Sequence, residues 1–151
     1  MTIENNESIS QSEQSNKNNN NTTTDLVVFD FDETIVNCNS DTFINALAPG
    51  GTIPDTIWNS FLDDNDWTAY MQQVFGYLHR SGVTEQQYKH CLAQLPFVDG
   101  MEALLCNLGK LTKISGQEQL LKKFEVIIIS DANTFFINYN LQCNKLDHVI
   151  R

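Results

Sequence analysis

Basic residues are scarce in this 151-residue sequence. Nine lysines and arginines stand against nineteen aspartates and glutamates, which gives a formal net charge of −10. The basic residues form no stripe or patch, and binding to nucleic acid or to an anionic membrane depends on such clusters. The sequence also lacks an apolar run long enough to span a membrane and lacks the pattern of a secretory signal. We therefore expect neither nucleic acid nor a membrane to be a partner.

Cysteine and histidine are few and widely scattered. The four cysteines contain no C-x-x-C pair, and the three histidines are too far apart in the sequence to suggest a metal site. We therefore predict reduced cysteines in a cytoplasmic protein, with the histidines on the surface or packed in the core. The residues concerned are Cys38, Cys91, Cys106, Cys143, His79, His90 and His148.

Apolar residues are almost missing from residues 1–24, where only Met1, Ile3 and Ile9 are apolar. Such a composition cannot bury enough surface to offset the entropy of ordering, so we predict a disordered tail rich in Asn, Ser and Thr. Residues 25–151 are numerous enough for one globular domain.

A short apolar run, Leu-Val-Val-Phe at residues 26–29, is followed by three acids within four residues, Asp30, Asp32 and Glu33. The run predicts a strand that is buried on both faces. In open α/β sheets, ligands bind beyond the carboxyl ends of the strands. Alternation places Asp30 and Asp32 on one side, with Phe31 turned into the core. Two carboxylates so close repel each other, and a hard divalent cation such as Mg²⁺ would compensate.

The alternative interpretation of these acids is structural. The strand then ends in a polar turn, and Asp32 and Thr34 serve as helix caps.

The segment at residues 38–95 is predicted to be helical and largely amphipathic, a type of insertion that often serves as a lid over a site. Ser40 or Asp41 would cap its first short helix, and Thr84 with Gln87 forms a capping box before its last. The longer predicted helices span residues 55–62, 67–79 and 85–95.

A second apolar run, at residues 124–129, ends at Ser130. Two strands joined by helices imply a parallel sheet, which brings Ser130 to the same edge as Asp30. Around this run we predict a helix at residues 101–108 stopped by Gly109, a polar loop at 110–116, a short helix at 117–123 and a helix at 134–144.

The pattern D-x-D-x-T after one strand and Ser after another resembles the first two motifs of the haloacid-dehalogenase-like phosphatases. Within that superfamily the sequence is similar to the phosphoethanolamine/phosphocholine phosphatases and to the pyridoxal-phosphate phosphatase branch. The resemblance implies an α/β fold, a Rossmann-like parallel sheet, with a core at residues 25–37 and 96–151 and an inserted helical cap at residues 38–95. The similar runs are FDFDETIV at residues 29–36, NSD at 39–41, YMQQVFGYL at 70–78 and ISDANTF at 129–135.

The resemblance also implies catalytic roles. Asp30 would be the nucleophile that forms an aspartyl-phosphate, and Asp32 the general acid/base. The Asp30 carboxylate and the Asp32 backbone carbonyl would bind Mg²⁺, the Ser130 hydroxyl would hold phosphoryl oxygens, and Thr34 would stabilise the phosphate-binding loop.

For substrate recognition, the resemblance places acids matching Asp41 and Asp131 near the amine headgroup of the substrate, where negative charge favours a cation. For Asp41 a helix-capping role is an equally good interpretation, since Asp is a preferred cap residue.

The family pattern continues with an apolar strand, a lysine, and a final strand followed by a Gly-Asp-x-x-x-Asp motif. Lys145 lies in the wrong segment to stand in for that lysine, and the other features do not occur in this sequence. We therefore expect the sequence to hold only the N-terminal part of the core and, taken alone, to be a poor catalyst. The predicted function is Mg²⁺-dependent hydrolysis of a small phosphomonoester. The alternative is a truncated, non-catalytic remnant or binding protein that keeps only the first two motifs.

Overall fold

Two parallel strands and six α-helices make up the part of the chain that the computed structural model describes, residues 23–114 and 122–150. Two short 3₁₀ segments, Ile44–Leu47 and Pro49–Gly51, follow the first helix. In chain order the elements are β1 (Thr23–Phe29), α1 (Ser40–Phe43), α2 (Asp55–Asp64), α3 (Trp67–Arg80), α4 (Glu85–Leu92), α5 (Met101–Ile114), β2 (Lys122–Ile128) and α6 (Thr134–Cys143).

The sheet is parallel, as predicted. Strand β1 pairs with β2 so that Val27 lies opposite Val126 and Phe29 opposite Ile128. The Ile129 N–H then donates to the Phe29 carbonyl at 2.9 Å, which extends the pairing to the ends of both strands. A parallel bridge joins Ile150 to Val126, so the chain returns to the sheet beside β2. The carboxyl ends of both strands therefore meet at one edge.

The prediction that the first strand is buried on both faces was wrong. Val27 and Phe29 pack against the core, and Val126, the partner of Val27, is fully buried. Leu26 and Val28, which alternate to the other face, remain 56% and 47% exposed. An unbroken apolar run is typical of strands covered on both faces, but the described residues pack closely against only one of them.

Predicted helices and strands mostly occur where expected, and the Thr84–Gln87 capping box opens α4 as predicted. Helix α4 ends at Leu92, three residues earlier than expected. The predicted tail, residues 1–24, falls outside the described residues up to position 22, whereas Thr23 and Thr24 belong to β1.

The largest error concerns Gly109, which does not end a helix. Helix α5 continues through Gly109 to Ile114, so the predicted loop at residues 110–116 was wrong as far as residue 114. A Cβ atom at position 109 would lie 2.8 Å from Cγ2 of Val149. A side chain at position 109 would therefore press against the Val149 side chain, and glycine avoids this contact.

The short helix predicted at residues 117–123 was also wrong for its last two residues, because Lys122 and Lys123 belong to β2. The rest of that segment, up to residue 121, lies outside the described residues.

We expect Gly109→Ala to destabilise the full-length protein, although alanine is the better helix former. Overpacking against Val149 costs about 1–3 kcal/mol, more than the roughly 0.5–1 kcal/mol that alanine gains in a helix. Gly76→Ala in α3 is the matched control, because its Cβ would meet only the mobile end of the Arg80 side chain, at 3.1 Å. Urea unfolding should show a loss at position 109 and a gain at position 76. Equal changes at both positions would contradict this account.

Backbone and side-chain hydrogen bonds hold the helical segment between the strands to the rest of the chain. At its base, the Asn37 N–H donates to the Pro96 carbonyl at 2.7 Å, and the Val98 N–H donates to the Ile35 carbonyl at 3.0 Å. Further out, the fully buried Asn140 side chain in α6 donates through Nδ2 to the Leu92 carbonyl at the end of α4, at 3.1 Å. The division into core and cap stays a prediction, but these contacts lie at its proposed borders.

Helices in the described part of the chain are all too short or too polar to cross a membrane. The four cysteines lie in that part and are free thiols there.

Candidate active site

The loop after β1 turns tightly around the backbone of Phe31. The Phe31 carbonyl accepts hydrogen bonds from the N–H groups of Ile35 at 2.8 Å and Val36 at 3.0 Å, and its side chain is fully buried. The exposed Asp30 carboxylate accepts the Phe31 N–H through Oδ1 at 2.6 Å. This arrangement holds Asp30 at the strand end while Phe31 anchors the loop, as the alternation predicted.

Thr34 lies in the same loop, and its N–H donates to the Phe31 carbonyl at 3.4 Å. Its side chain is half-buried. The position fits a residue that stabilises the loop, and its part in phosphate binding stays a prediction.

Asp32 lies deeper than Asp30. Burial raises the pKa of the Asp32 carboxyl above its ordinary value, Ser40 lowers it in part, and the negative charges of Asp41 and Asp30 raise it further. The Ser40 hydroxyl lies near the Asp32 carboxyl, but the two groups form no hydrogen bond of good geometry. Among the described residues, neither Ser40 Oγ nor Asp32 Oδ1 has a hydrogen-bond partner. A carboxyl that holds its proton more firmly and has an unsatisfied oxygen is suited to proton donation.

The prediction that Ser40 or Asp41 caps the first helix was wrong. The N-cap of α1 is Asn39, whose Oδ1 accepts the N–H of Thr42 at 2.9 Å. The alternative in which Asp32 and Thr34 are helix caps fails for the same reason, since α1 is the first helix after β1 and Asn39 caps it.

The Asp41 carboxylate bonds instead to a residue of another helix. Its Oδ2 accepts the indole N–H of Trp67 at 2.9 Å. Burial raises the pKa of Asp41, the hydrogen bond from Trp67 lowers it in part, and the charge of Asp131 raises it further. Asp41 is only 8% exposed, so this negative charge is held largely out of solvent.

Two cavities that share three residues bring most of the predicted acids together. Both are lined by Asp41, Trp67 and Asp131. A cavity of about 200 Å³ is completed by Asp32, Asn39 and Ala132. The other, of about 570 Å³, is completed by Thr68, Met71, Gln72, Phe75 and Asn133.

Trp67 is the site residue that the sequence did not reveal. Trp67, Tyr70 and Met71 are among the apolar residues that recur at helical spacing in this segment, a pattern that indicates ordinary helix packing. The position of Trp67 as the first residue of the helix was the available signal, because side chains there lean back beyond the N-terminal end. The hydrogen bond to Asp41 spans 26 positions, so no local pattern encodes it.

Ser130 and Asp131 follow β2 at the same edge as Asp30, as predicted. The Ser130 Oγ accepts the N–H of Ala132 at 3.2 Å. The half-buried Ser130 lines a separate cavity of about 300 Å³, with Ile128, Thr134 and Asp147 among the other walls. The exposed Asp131 faces the two cavities near Asp41. Ser130 and Asp131 are neighbours in one loop but line different cavities.

The donors available for Mg²⁺ are oxygen atoms at the end of β1. Within residues 23–114 and 122–150, no three His, Cys, Asp or Glu side chains form a group that could hold a metal ion. Mg²⁺ commonly takes one or two carboxylates and fills its other positions with water and substrate phosphate. The Asp30 carboxylate and the Asp32 carbonyl are hard donors that fit part of such a site, and the metal stays a prediction.

We expect Asp41→Asn to stabilise the full-length protein at neutral pH. Folding raises the pKa of Asp41 above its ordinary value of 3.8. At pH values between 3.8 and the higher pKa of the folded state, the folded protein therefore binds more protons at Asp41 than the unfolded protein does. The contribution of Asp41 to the free energy of unfolding therefore falls as the pH rises through that window, and it stays lower at higher pH. Asparagine cannot ionise, yet its carbonyl oxygen can still accept the Trp67 N–H.

The expected gain is about 0.5–2 kcal/mol at pH 7, in the range of typical stabilising substitutions. It should disappear below about pH 3.8, the ordinary pKa of an aspartate. Thermal melts across pH measure it, and the exposed Asp63→Asn is the control, with a change within about 0.5 kcal/mol. A loss of stability at neutral pH in Asp41→Asn would contradict the argument.

Comparison with known proteins gives a consistent result. The family model described as Putative Phosphatase matches residues 25–151. "Probable phosphatase phospho2" of Xenopus tropicalis is 41% identical over 116 residues, 77% of this chain and 44% of the relative. "Pyridoxal phosphate phosphatase PHOSPHO2" of Rattus norvegicus is 40% identical over 117 residues, 78% of this chain and 44% of the relative.

"Phosphoethanolamine/phosphocholine phosphatase" of Homo sapiens is 38% identical over 117 residues, 78% of this chain and 40% of the relative. The chain therefore spans less than half the length of these curated relatives. No solved structure matches the chain significantly. The resemblance stated from the motifs is confirmed.

Proposed function

The chain belongs to the Putative Phosphatase family, and from this premise we propose that the protein hydrolyses a small phosphomonoester with the help of Mg²⁺. The observation that carries the proposal is the position of Asp30 and Asp32 at the carboxyl end of β1, with the cavity lined by Asp32, Asp41 and Asp131 beside them. The names of the relatives point to two kinds of substrate, pyridoxal phosphate and the pair phosphoethanolamine and phosphocholine.

The proposed reaction has two displacements at phosphorus. The Asp30 carboxylate attacks the phosphorus while the bond to the leaving-group oxygen breaks, and the Asp32 proton passes to that oxygen. The Asp32 carboxylate then takes a proton from water, which attacks the phosphorus, releases inorganic phosphate and restores Asp30. The half-buried position of Asp32, two residues after Asp30 in the same loop, supports this role.

Other groups would neutralise and hold the phosphoryl group. Mg²⁺ bound by the Asp30 carboxylate and the Asp32 carbonyl would shield the negative charges of nucleophile and substrate from each other. The Ser130 hydroxyl and nearby backbone N–H groups would hold phosphoryl oxygens.

The test is a hydrolysis assay with the full-length protein, meaning a chain that also carries the lysine and the Gly-Asp-x-x-x-Asp motif of the family pattern. The assay uses saturating Mg²⁺ and four substrates: phosphoethanolamine, phosphocholine, pyridoxal phosphate and p-nitrophenyl phosphate. Release of inorganic phosphate that stops on chelation of the metal is the expected result. A folded protein that hydrolyses none of them would overturn the proposal. If calorimetry then showed binding of a phosphomonoester without turnover, the non-catalytic alternative would be correct.

Asp131→Ala should raise KM for phosphocholine more than KM for the uncharged-headgroup substrate p-nitrophenyl phosphate. Because Asp131 is exposed, its attraction for a cation is screened by water, and we expect an increase of roughly two- to fivefold. Steady-state kinetics measure the difference, with Asp63→Ala as the control for a lost surface charge. Equal changes for both substrates would mean that Asp131 acts on the phosphate side or only supports the loop.

A further inference from the structure

An aromatic cavity of about 350 Å³ lies between the end of α3, the start of α4 and the start of α6. Its apolar walls are Phe75, Val83, Tyr88, Phe135 and Phe136. Phe75 also lines the larger cavity of the candidate active site, but no aspartate is found among the described residues that line this one. The proposed reaction makes no use of this cavity.

The rings of this cavity hold one another in place. The Phe75 centroid lies 6.4 Å from that of Tyr88 and 6.1 Å from that of Phe136, which it meets edge-on. Phe135 lies 6.4 Å from Phe136 and stacks on Tyr139 at 5.9 Å. Aromatic side chains are enriched at interfaces between proteins, where they supply much of the binding energy.

Phe135 stays 46% exposed at the start of α6, although it is a large apolar residue. A single exposed apolar side chain is ordinary on a protein surface. This one borders an open aromatic cavity, so an exposed ring and a space that accepts a ring lie side by side. An isologous interface, in which the same patch of two subunits meets, needs a patch that is complementary to itself in this way.

The charges beside the cavity are also complementary to each other. Lys89 Nζ forms an ion pair with Glu85 Oε1 at 2.6 Å, and it lies 5.9 Å from the centre of the Tyr139 ring. His79 and Glu85 are the only His, Asp, Glu, Lys or Arg side chains among the described residues that line the cavity. The single acid there is therefore paired with a base.

Balanced charge matters because this chain has a formal net charge of −10. Net charge of one sign keeps copies of a protein apart. Two copies can approach most easily through a face on which each acid is matched by a base. An exposed ion pair contributes little to stability, so Glu85 and Lys89 can exchange partners across a two-fold axis at little cost.

We infer that this face pairs with the same face of a second copy of the chain in an isologous dimer. The dimer face consists of Glu85, Tyr88, Lys89, Phe135 and Tyr139. Phe135 of each copy enters the aromatic cavity of the other, and Glu85 of each copy pairs with the partner's Lys89. This inference goes beyond the proposed function and does not depend on it.

Sedimentation equilibrium of the full-length protein between about 1 and 100 µM measures the association. We expect a monomer–dimer equilibrium that Phe135→Ser weakens at least roughly tenfold, because it removes the central aromatic anchor. Leu62→Ser is the matched control, since Leu62 in α2 is 61% exposed and does not line the cavity. It should change the Kd by less than about twofold. A protein that stays monomeric or forms larger oligomers, or a dimer that Phe135→Ser does not weaken, would overturn the inference.

Charge reversal tests the two-fold arrangement without removing a ring. In an isologous dimer of Lys89→Glu, carboxylates would face each other at both ends of the interface, and in Glu85→Lys ammonium groups would do so. Each variant alone should therefore dimerise at least roughly tenfold more weakly than the wild type. The double variant Glu85→Lys/Lys89→Glu restores opposite charges and should dimerise like the wild type.

Mixing the two single variants gives the sharpest result. One copy then carries two carboxylates and the other two ammonium groups, so both pairs across the axis are opposite in charge. With one variant carrying a fluorescent label, sedimentation velocity should show a heterodimer at concentrations at which each variant alone is monomeric. These variants keep the inference testable if Phe135→Ser does not fold, as judged by circular dichroism. Absence of the heterodimer would show that residues 85 and 89 do not face each other and would overturn the inference.

Discussion

Asp30→Asn in the full-length protein is expected to lower kcat for phosphomonoester hydrolysis by roughly four powers of ten or more, because a carboxamide is a far weaker nucleophile than a carboxylate. The substitution nearly preserves shape, and its oxygen can still accept the Phe31 N–H that orients Asp30. The loss should therefore reflect chemistry and not folding. Steady-state assays measure it directly.

A second measurement on the same variant addresses the intermediate. Acid quenching of the wild-type protein with ³²P-labelled substrate should trap label that hydroxylamine releases, as expected for an acyl phosphate, and Asp30→Asn should trap none. Glu33→Gln is the matched control, since it removes one exposed negative charge from the same loop. Wild-type turnover in Asp30→Asn would refute the assignment of the nucleophile.

Asp32→Asn is expected to lower kcat by roughly 10²–10⁴-fold for substrates with an alkyl leaving group, the usual contribution of a positioned acid or base. Loss of the proton donor matters most when the leaving alcohol is a strong base. With p-nitrophenyl phosphate, whose leaving group departs readily without a proton, formation of the phosphorylated protein should be much less affected.

The measurement is a comparison of burst amplitudes and steady-state rates for the two kinds of ester in Asp32→Asn and in the wild type. In the proposed mechanism Asp32 is also the base for hydrolysis of the intermediate, so a burst followed by slow turnover is expected with p-nitrophenyl phosphate. An equal loss for both esters, without a burst, would show that Asp32 supports the loop or the metal and does not transfer protons.

Features encoded by adjacent residues were predictable from the sequence. The apolar run before Asp30 and the one before Ser130 define strand ends, and the parallel pairing follows from the helices between them. The inward turn of Phe31 follows from alternation along an extended chain. The acids at the sheet edge could therefore be located without coordinates, although their chemical roles remain predictions.

Features set by distant residues were not predictable. Gly109 resembles a helix stop. In the structure it lies inside a helix, and its lack of a side chain leaves room for Val149, forty positions later in the chain. Asn39 and Asp41 are both good helix caps, and only the Trp67 indole shows why Asp41 points elsewhere. Leu26 and Val28 are about half exposed. Their exposure depends on which segments pack over that face of the sheet, and the residues of the strand do not specify this.

The buried hydrogen bond from Asn140 to the Leu92 carbonyl limits how freely the helical segment can move. It joins the last turn of α4 to α6 across 48 positions of sequence, and Phe75 and Phe136 add an edge-on ring contact between α3 and α6. Any motion that carries α4 away from α6 must break that bond and leave a buried amide without its acceptor, which costs about 1–3 kcal/mol. Openings of that size are populated only a small fraction of the time. The helical segment should therefore spend most of its time closed against α6, and movements that leave this hydrogen bond intact should be the more frequent ones.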